Sequence, residues 1–177
     1  VDFYHPEYDD GWGGQDRRHT LVASGAVVLP LDITLGAVWN YRSTRPFSAV
    51  AGTDLNLDGA VTDYVPGTTK NVFNRGDNAK YLAAVNALRA RSGRAPIPES
   101  QLMTDEFKRV DVRVSKQINL GGDRRAELIA QIFNLFGTDS FGPGVAPWQM
   151  NASSNSFGTL NAVHPRQQAE IAVRFVW

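Results

Sequence analysis

The last nine residues, Ala169-Glu170-Ile171-Ala172-Val173-Arg174-Phe175-Val176-Trp177, alternate between two kinds of side chain. The odd positions are all apolar, whereas Glu170 and Arg174 stand at even positions. A period of two residues is typical of a β-strand with one apolar and one polar face, because successive side chains of a strand point to opposite sides. The stretch therefore predicts a strand that runs to the last residue.

Four earlier segments repeat this alternation and predict strands over 17–30, 32–47, 105–118 and 124–137. On the third strand, Val110, Val112 and Val114 share one side, whereas two arginines, an aspartate, a serine and a glutamine share the other. Unpaired charges are costly in a dry core, so the polar side is expected to face water. The valine side then needs cover from a second sheet or from lipid.

Strand length and connection length favour lipid. The predicted strands exceed the ~5–6 residues common in soluble sheets and reach the ~9–11 residues of a tilted membrane span. The connections at 30–32 and 119–123 are short, and those at 47–105 and 138–165 are long. Alternation of short and long connections is typical of outer-membrane barrels with tight periplasmic turns and long outer loops.

The predicted fold class is all-β, an antiparallel up-and-down transmembrane β-barrel fragment of about five strands. Outer loops are expected over 53–104 and 138–164. Five strands cannot close a membrane barrel, whose smallest examples have ~8, and open edges in lipid would leave backbone groups unsatisfied. Since the chain also opens at Val1 without an initiator Met or a leader, we expect it to be the C-terminal portion of a larger barrel.

Composition excludes several classes of function. The 18 basic and 18 acidic residues give zero formal net charge, and no basic cluster indicates a nucleic-acid surface. The absence of Cys excludes disulfides, thiolate zinc sites and thiol nucleophiles. The three histidines lie in no hydrolase or zinc-enzyme motif, so no catalytic residue is predicted and we expect no enzyme.

Six motifs, in their order along the chain, resemble the end of a TonB-dependent receptor of the Oar-like group, which carries a carboxypeptidase-regulatory-like domain. They are Asp16-Arg17-Arg18-His19, Arg45-Pro46-Phe47-Ser48, Asp54-Leu55-Asn56-Leu57-Asp58-Gly59, Asn71-Val72-Phe73-Asn74-Arg75-Gly76, Phe107-Lys108-Arg109-Val110-Asp111-Val112-Arg113-Val114-Ser115-Lys116 and Phe133-Asn134-Leu135-Phe136. The resemblance implies a barrel of about 22 strands, plugged by an N-terminal domain and energised by a periplasmic energy-coupling protein. The plug and the coupling box of the family do not occur in this chain, so no residue of theirs is carried over.

The terminal strand matches the barrel-assembly signal of such proteins, an aromatic last residue preceded by apolar residues at alternate positions. The residues are Ala169, Ile171, Val173, Phe175 and Trp177. An exposed strand of this kind can pair with an edge of the insertion machinery, and its alternating side chains fix the register. The same pattern also fits a plain lipid-facing strand.

The 54–63 segment has the spacing of the first half of a calcium loop, with oxygen ligands at alternate positions followed by a glycine. The candidate ligands are Asp54, Asn56, Asp58, the backbone of Ala60, and Asp63. Position 12 is Val65 rather than the bidentate glutamate of an EF-hand. The same residues fit a turn whose side chains bind their own backbone, and both alternatives stay open.

Within the first long loop, residues 78–91 predict a helix. Asp77 is its expected N-cap, Gly93 stands where a C-cap belongs, and apolar residues recur at helical spacing. They are Tyr81, Leu82, Val85 and Leu88. The helix could serve as a lid over the pore or could fold the loop onto the rim.

A set of charged residues is predicted to face the barrel lumen: Arg109, Asp111, Arg113, Glu127, Glu170 and Arg174. They could contact a plug or a solute, or could form a salt-bridged wall that solvates the interior.

The sequence predicts the C-terminal barrel portion of a TonB-dependent receptor that takes up or binds a ligand at the surface of a Gram-negative bacterium. Its expected partners are outer-membrane lipid, the barrel-assembly machinery, the periplasmic energy-coupling protein and an unidentified ligand, with no nucleic acid. A structural or adhesive outer-membrane protein is the first alternative, and a soluble secreted calcium-binding β domain is the second.

Overall fold

The computed structural model describes residues 5–139, 148–160 and 165–177. In this part of the chain the regular elements are five strands, one α-helix and two 3₁₀ turns at Pro6–Asp9 and Glu99–Gln101. The strands are β1 (Thr20–Leu29), β2 (Ile33–Arg42), β3 (Phe107–Gly121), β4 (Arg124–Phe133) and β5 (Gln168–Val176), and the helix is α1 (Asn78–Arg91).

The strands form one sheet in the order β1-β2-β3-β4-β5, and every neighbouring pair is antiparallel. Spatial order thus follows chain order, so the sheet is the up-and-down meander that the sequence predicts. The short connections lie at one end of the sheet and the long ones leave from the other end, as follows from strands that alternate in direction. Residues 140–147 and 161–164 of the predicted second outer loop lie outside the described residues.

The chain divides into two compact units. The sheet unit comprises described residues 19–43, 106–139 and 165–177, and therefore contains all five strands. The loop unit comprises described residues 5–18, 44–105 and 148–160, and contains α1 and both 3₁₀ turns.

Register extends the apolar alternation across the whole sheet. Val27 pairs with Leu35, Leu35 with Val114, Val114 with Ala130, and Ala130 with Ile171. The residues that directly precede and follow these on each strand point their side chains to the other face. The sheet therefore carries continuous apolar rows on one face, although no single strand is apolar throughout.

Two hairpin turns use left-handed backbone. In the first turn, Leu31 and Asp32 have φ values of 68° and 57°, and the Gln117 amide donates to the Asp32 carbonyl at 3.0 Å. In the second turn, Gly121 and Gly122 have φ values of 95° and 61°, which glycine adopts without steric cost. The turns fall within the short connections that the sequence predicts.

Three strands are shorter than predicted, and the ends of the other two are displaced. β1 covers Thr20–Leu29 rather than 17–30, β3 covers Phe107–Gly121 rather than 105–118, and β5 ends at Val176 rather than at the last residue. Alternation suggests that β2 reaches 47, but it ends at Arg42. Phe47 belongs to the loop unit, where it is 2% exposed. The fourth strand was expected to reach 137 but ends at Phe133, because Asn134 adopts a φ of 54° and its amide donates to Asp111 Oδ1 at 2.8 Å.

Helix α1 has the predicted bounds, Asn78–Arg91. Asp77 occupies the expected N-cap position, but its side chain makes no capping hydrogen bond. Gly93 has a φ of 66° just beyond the helix, as its predicted capping role requires. Among the described residues, no helix is long and apolar enough to cross a membrane.

The loop unit has an aromatic core. The ring of Phe47 stacks on Phe73 and on Trp148, with centroids 4.8 and 5.1 Å apart. Phe157 meets the edge of Phe73 at 5.6 Å. All four side chains are at most 5% exposed. Burial of such rings against one another gives this unit the kind of core that water-soluble domains have.

Candidate functional site

The predicted lumen residues lie on one face of the sheet. Arg113 pairs with Gln131, which pairs with Glu170, and Gln117 pairs with Glu127, which pairs with Arg174. Arg109 and Asp111 have the same parity on β3 as Arg113, so they share its side. The six charged side chains thus form part of one polar face. That this face lines a lumen stays a prediction.

Hydrogen bonds and ion pairs connect neighbours on the polar face. Arg109 Nε donates to Asp111 Oδ1 at 2.6 Å, and the Arg109 guanidinium lies 5.4 Å from the Phe133 ring centroid. Gln131 Nε2 donates to Glu170 Oε2 at 2.8 Å. Arg113 Nη2 and Glu127 Oε1 form an ion pair with a separation of 3.5 Å. Opposite charges alternate along this face, so it can hold water without a large field of one sign.

The opposite face is apolar and exposed. Ile171 is 87% exposed, Val173 is 51% exposed and Val114 is 40% exposed. Within the described part of the chain, no second layer covers these residues. A continuous apolar face of this size is stable only in contact with a partner or with hydrocarbon.

The residues of the predicted assembly signal lie on this apolar face. In β5, Ala169 pairs with Ile132, Ile171 with Ala130, Val173 with Leu128 and Phe175 with Ala126. Trp177 follows the strand and is 90% exposed. Because β5 is an outermost strand of the described sheet, its free edge could accept another strand. The assembly role itself stays a prediction.

The candidate calcium ligands are close together but bind their own backbone. Asp54 Oδ1 accepts a hydrogen bond from the Leu57 amide at 2.6 Å, and its Oδ2 accepts one from the Gly59 amide at 2.8 Å. Asp58 Oδ1 accepts from the Ala60 amide at 2.8 Å. This is the backbone-satisfied turn that the sequence left open as an alternative.

Asp63 reaches the same loop from its far end. Its Oδ2 accepts hydrogen bonds from the Leu55 amide at 2.6 Å and from the Asn56 amide at 3.4 Å. The residue as a whole is 8% exposed. Among the described residues, no group of three or more His, Cys, Asp or Glu side chains is arranged to hold a metal ion. Calcium binding by this loop stays a prediction.

Tyr64, next to Asp63, donates from its hydroxyl to Asp9 Oδ1 at 3.0 Å. Burial, followed by this hydrogen bond, raises the pKa of Tyr64 to about 12. The phenol therefore stays protonated at neutral pH and ties the N-terminal 3₁₀ turn to the 63–68 segment.

A buried ion cluster was missed by sequence reasoning. Asp105 is fully buried, and its Oδ2 accepts from Arg17 at 2.8 Å and from Arg45 Nε at 2.6 Å. The Arg45 amide donates to Asp105 Oδ1 at 2.8 Å. The cluster therefore fastens three segments of the loop unit that are distant in sequence. Both arginines stand in sequence motifs quoted above, Asp16-Arg17-Arg18-His19 and Arg45-Pro46-Phe47-Ser48, but only the fold shows their common partner.

Arg89 is the second residue that the sequence did not single out. It is 2% exposed, and its guanidinium donates to the carbonyls of Ala95, Ala152 and Ser154 at 2.7–2.8 Å. The guanidinium also donates a hydrogen bond to Asn155 Oδ1 at 3.0 Å. The sequence around Arg89 gives no sign of this role. Two of its three carbonyl acceptors, those of Ala152 and Ser154, lie more than 60 residues away along the chain.

Comparison with known proteins agrees with the sheet geometry. A family model described as "Outer membrane beta barrel domain" matches residues 1–171. No curated protein and no solved structure matches the chain. The family match covers nearly all of the chain, and the sheet has the exposed apolar face and the polar face that such a barrel requires. The chain therefore belongs to the outer membrane beta barrel domain family and is a protein of the Gram-negative outer membrane.

Proposed function

We propose that the chain is the C-terminal barrel portion of a TonB-dependent receptor of the Oar-like group, which takes up a ligand from the cell surface. The observation that carries the proposal is the two-faced sheet, whose polar face is a chain of charged and amide pairs on β3, β4 and β5. A barrel that passes solutes needs a hydrated interior, and these pairs supply it. The proposed role is not enzymatic.

The connections support the same proposal. The segment between β2 and β3 is long enough to form most of a separately packed loop unit, whereas β1–β2 and β3–β4 are joined by tight turns. Large outer loops that fold by themselves are suited to capturing a ligand above a barrel. The proposed partners are outer-membrane lipid, the barrel-assembly machinery and a periplasmic energy-coupling protein, with no role for nucleic acid.

A soluble secreted domain is not favoured, because the apolar face has no cover in the described structure and the family is one of the outer membrane. The structural or adhesive alternative differs from transport in one respect that can be measured without knowing the ligand. An energised receptor rearranges its interior when the membrane potential drives the coupling protein, whereas a scaffold does not.

The absence of native cysteine makes this measurable by thiol labelling in Gram-negative cells that produce the protein. Arg113→Cys places a thiol on the polar face, and Val112→Cys places one on the apolar face as a matched neighbour. We expect a membrane-impermeant maleimide to label Arg113→Cys but not Val112→Cys, because thiols ionise poorly in hydrocarbon.

If the protein is a transporter, a protonophore that removes the membrane potential should change the labelling rate of Arg113→Cys several-fold. Val112→Cys should stay unlabelled with and without the protonophore. An unchanged rate at 113 would support the structural or adhesive alternative. Equal labelling at both positions would contradict the two-faced barrel itself.

A further inference from the structure

The loop unit contains a cavity of about 280 Å³, and two of its lining residues, Asn56 and Asp63, are also candidate calcium ligands. Its walls come from the N-terminal 3₁₀ turn, which supplies His5 and Tyr8, and from the 63–68 segment, which supplies Asp63 and Tyr64. Asn56 of the Asp/Asn loop completes one side. This size lies at the small end of ligand pockets, so a single small molecule would fill it.

Hydrogen bonds hold the cavity walls together. The Lys70 amide donates to the Tyr8 carbonyl at 3.1 Å, and the Tyr64 hydroxyl donates to Asp9 at 3.0 Å. The rings of His5 and Tyr8 stack with centroids 5.1 Å apart. The Tyr64 ring is therefore held by its hydroxyl and the Tyr8 ring by its stack on His5 before any ligand arrives, which reduces the entropy cost of binding.

Asp63 brings negative charge to this wall. Two backbone amides fix its Oδ2, whereas no described residue donates a hydrogen bond to its Oδ1. A second carboxylate, that of Asp9, accepts the hydrogen bond of the Tyr64 hydroxyl. Among the described residues, neither lysine nor arginine lines the cavity, and the His5 imidazole that does line it contacts Glu7 Oε1 through Nδ1 at 2.9 Å.

We propose that this cavity binds a small organic cation, an ammonium group that lies against the faces of Tyr8 and Tyr64 and pairs with Asp63. A ring face attracts a cation through its quadrupole, and a fixed carboxylate within reach adds a charge-assisted bond. A neutral molecule of the same shape would gain only apolar contact. Capture at the cell surface rests on the proposed function, whereas binding in the cavity does not.

The test is calorimetric titration of the protein as the cell produces it, purified from the outer membrane in detergent micelles with EDTA present so that calcium does not occupy Asp63. Choline is the probe, its neutral isostere 3,3-dimethyl-1-butanol is the control ligand, and ethanolamine separates a primary from a quaternary ammonium. We expect choline to bind at least about tenfold more tightly than the isostere, the ratio that ~1.4 kcal/mol of cation-specific interaction gives. Equal affinity of choline and the isostere, or no binding of either ammonium compound, would overturn the proposal.

Variants identify the groups responsible. Asp63→Asn keeps an acceptor for the two amides but removes the charge, and it should weaken choline about tenfold. Asp10→Asn makes the same charge change at an exposed residue that does not line the cavity, and it should leave the affinity unchanged. An equal loss in both variants would mean that only the general field of the protein attracts choline.

Tyr8→Leu keeps the test decisive if Asp63→Asn does not fold, as judged by circular dichroism. Tyr8 is 42% exposed, so its replacement should leave the fold intact while choline binding falls several-fold and binding of the isostere is unchanged. Unchanged choline affinity in Tyr8→Leu would overturn the proposal. Cation binding without energised uptake would reject the proposed function and leave this site standing.

Discussion

The loop unit and the sheet unit place their apolar side chains in opposite ways. In the loop unit Phe47, Phe73 and Phe157 form a buried core and are at most 2% exposed. In the sheet unit the large apolar residues are outside, and Ile171 is 87% exposed. Each arrangement is stable in a different medium, so one chain carries a region built for water and a region built for lipid.

The charged residues show the same contrast. Asp105 of the loop unit is fully buried between Arg17 and Arg45, where each partner depends on the others. Arg113 of the sheet unit pairs with Glu127 at 3.5 Å, and its side chain is 52% exposed. Buried charges lose far more than exposed ones when a partner is removed. The following variants order these differences by size.

The largest effect is expected from Asp105→Ala. It leaves two buried guanidinium groups without their carboxylate, which should cost about 3–5 kcal/mol of the stability of the loop unit. Hydrogen exchange with mass spectrometry would show lost protection over 44–105 and retained protection in β1–β5. Asp10→Ala, at an exposed position, is the control. Equal loss of protection in both units would show that they do not respond separately.

The next effect concerns the sheet unit. Val114 stands in the middle of an apolar row, so Val114→Arg should destabilise the folded state in lipid vesicles by about 2–4 kcal/mol. Gln117→Arg, on the polar face of the same strand, should change it by less than about 1 kcal/mol. The measurement is the urea dependence of folding of the complete barrel into vesicles. Similar costs at both positions would contradict the assignment of one face to lipid.

Tyr64→Phe should have a smaller effect, confined to the loop unit. It removes the hydrogen bond to Asp9, worth about 0.5–1.5 kcal/mol. The pKa of Tyr64 is raised to about 12, so folding favours the protonated phenol. Its contribution is therefore complete below pH ~10, the ordinary tyrosine pKa, and is lost as the pH rises towards 12.

Alkaline titration of tyrosinate absorbance checks this sign. Tyr64→Phe should lack the absorbance change of the tyrosine that titrates near pH 12 in the wild type, and only the wild type should lose loop-unit stability through this group between pH 10 and 12. An alkaline titration that is identical in the wild type and the variant would contradict the assignment of this shift to Tyr64.

The smallest effect is expected from Arg113→Gln. The ion pair with Glu127 is long and more than half exposed on the arginine side, so its loss should change stability by less than about 1 kcal/mol. The same urea titration would detect it. A loss of several kcal/mol would mean that the polar face is drier than its exposure indicates.

The sheet could be predicted from sequence because a period of two residues is a local property. Alternation in 105–118 and 169–177 gives the faces directly, and the glycines at 121 and 122 mark a turn. The predicted fold class and the family agree with this pattern. The helix at 78–91 was predictable for the same reason, since its spacing and its following glycine are local.

The strand ends and the loop-unit contacts could not be predicted in the same way. Phe47 continues the apolar pattern of β2, yet it packs on Phe73 and Trp148, which lie far along the chain. Asp105 and Arg89 are ordinary charged residues in sequence, and only tertiary packing brings them to their partners. Pairings between distant segments have no local pattern from which they can be read.

The four tryptophans are divided equally between the two units. Trp148 is 5% exposed in a stack of rings, and Trp12 lies 5.7 and 5.6 Å from the guanidinium groups of Arg18 and Arg75. Trp39 and Trp177 belong to the sheet unit and are 44% and 90% exposed. A variant with Trp39→Phe and Trp177→Phe would keep only the tryptophans of the loop unit, and one with Trp12→Phe and Trp148→Phe only those of the sheet unit. The fluorescence of each variant would then report the folding rate of one unit without a label.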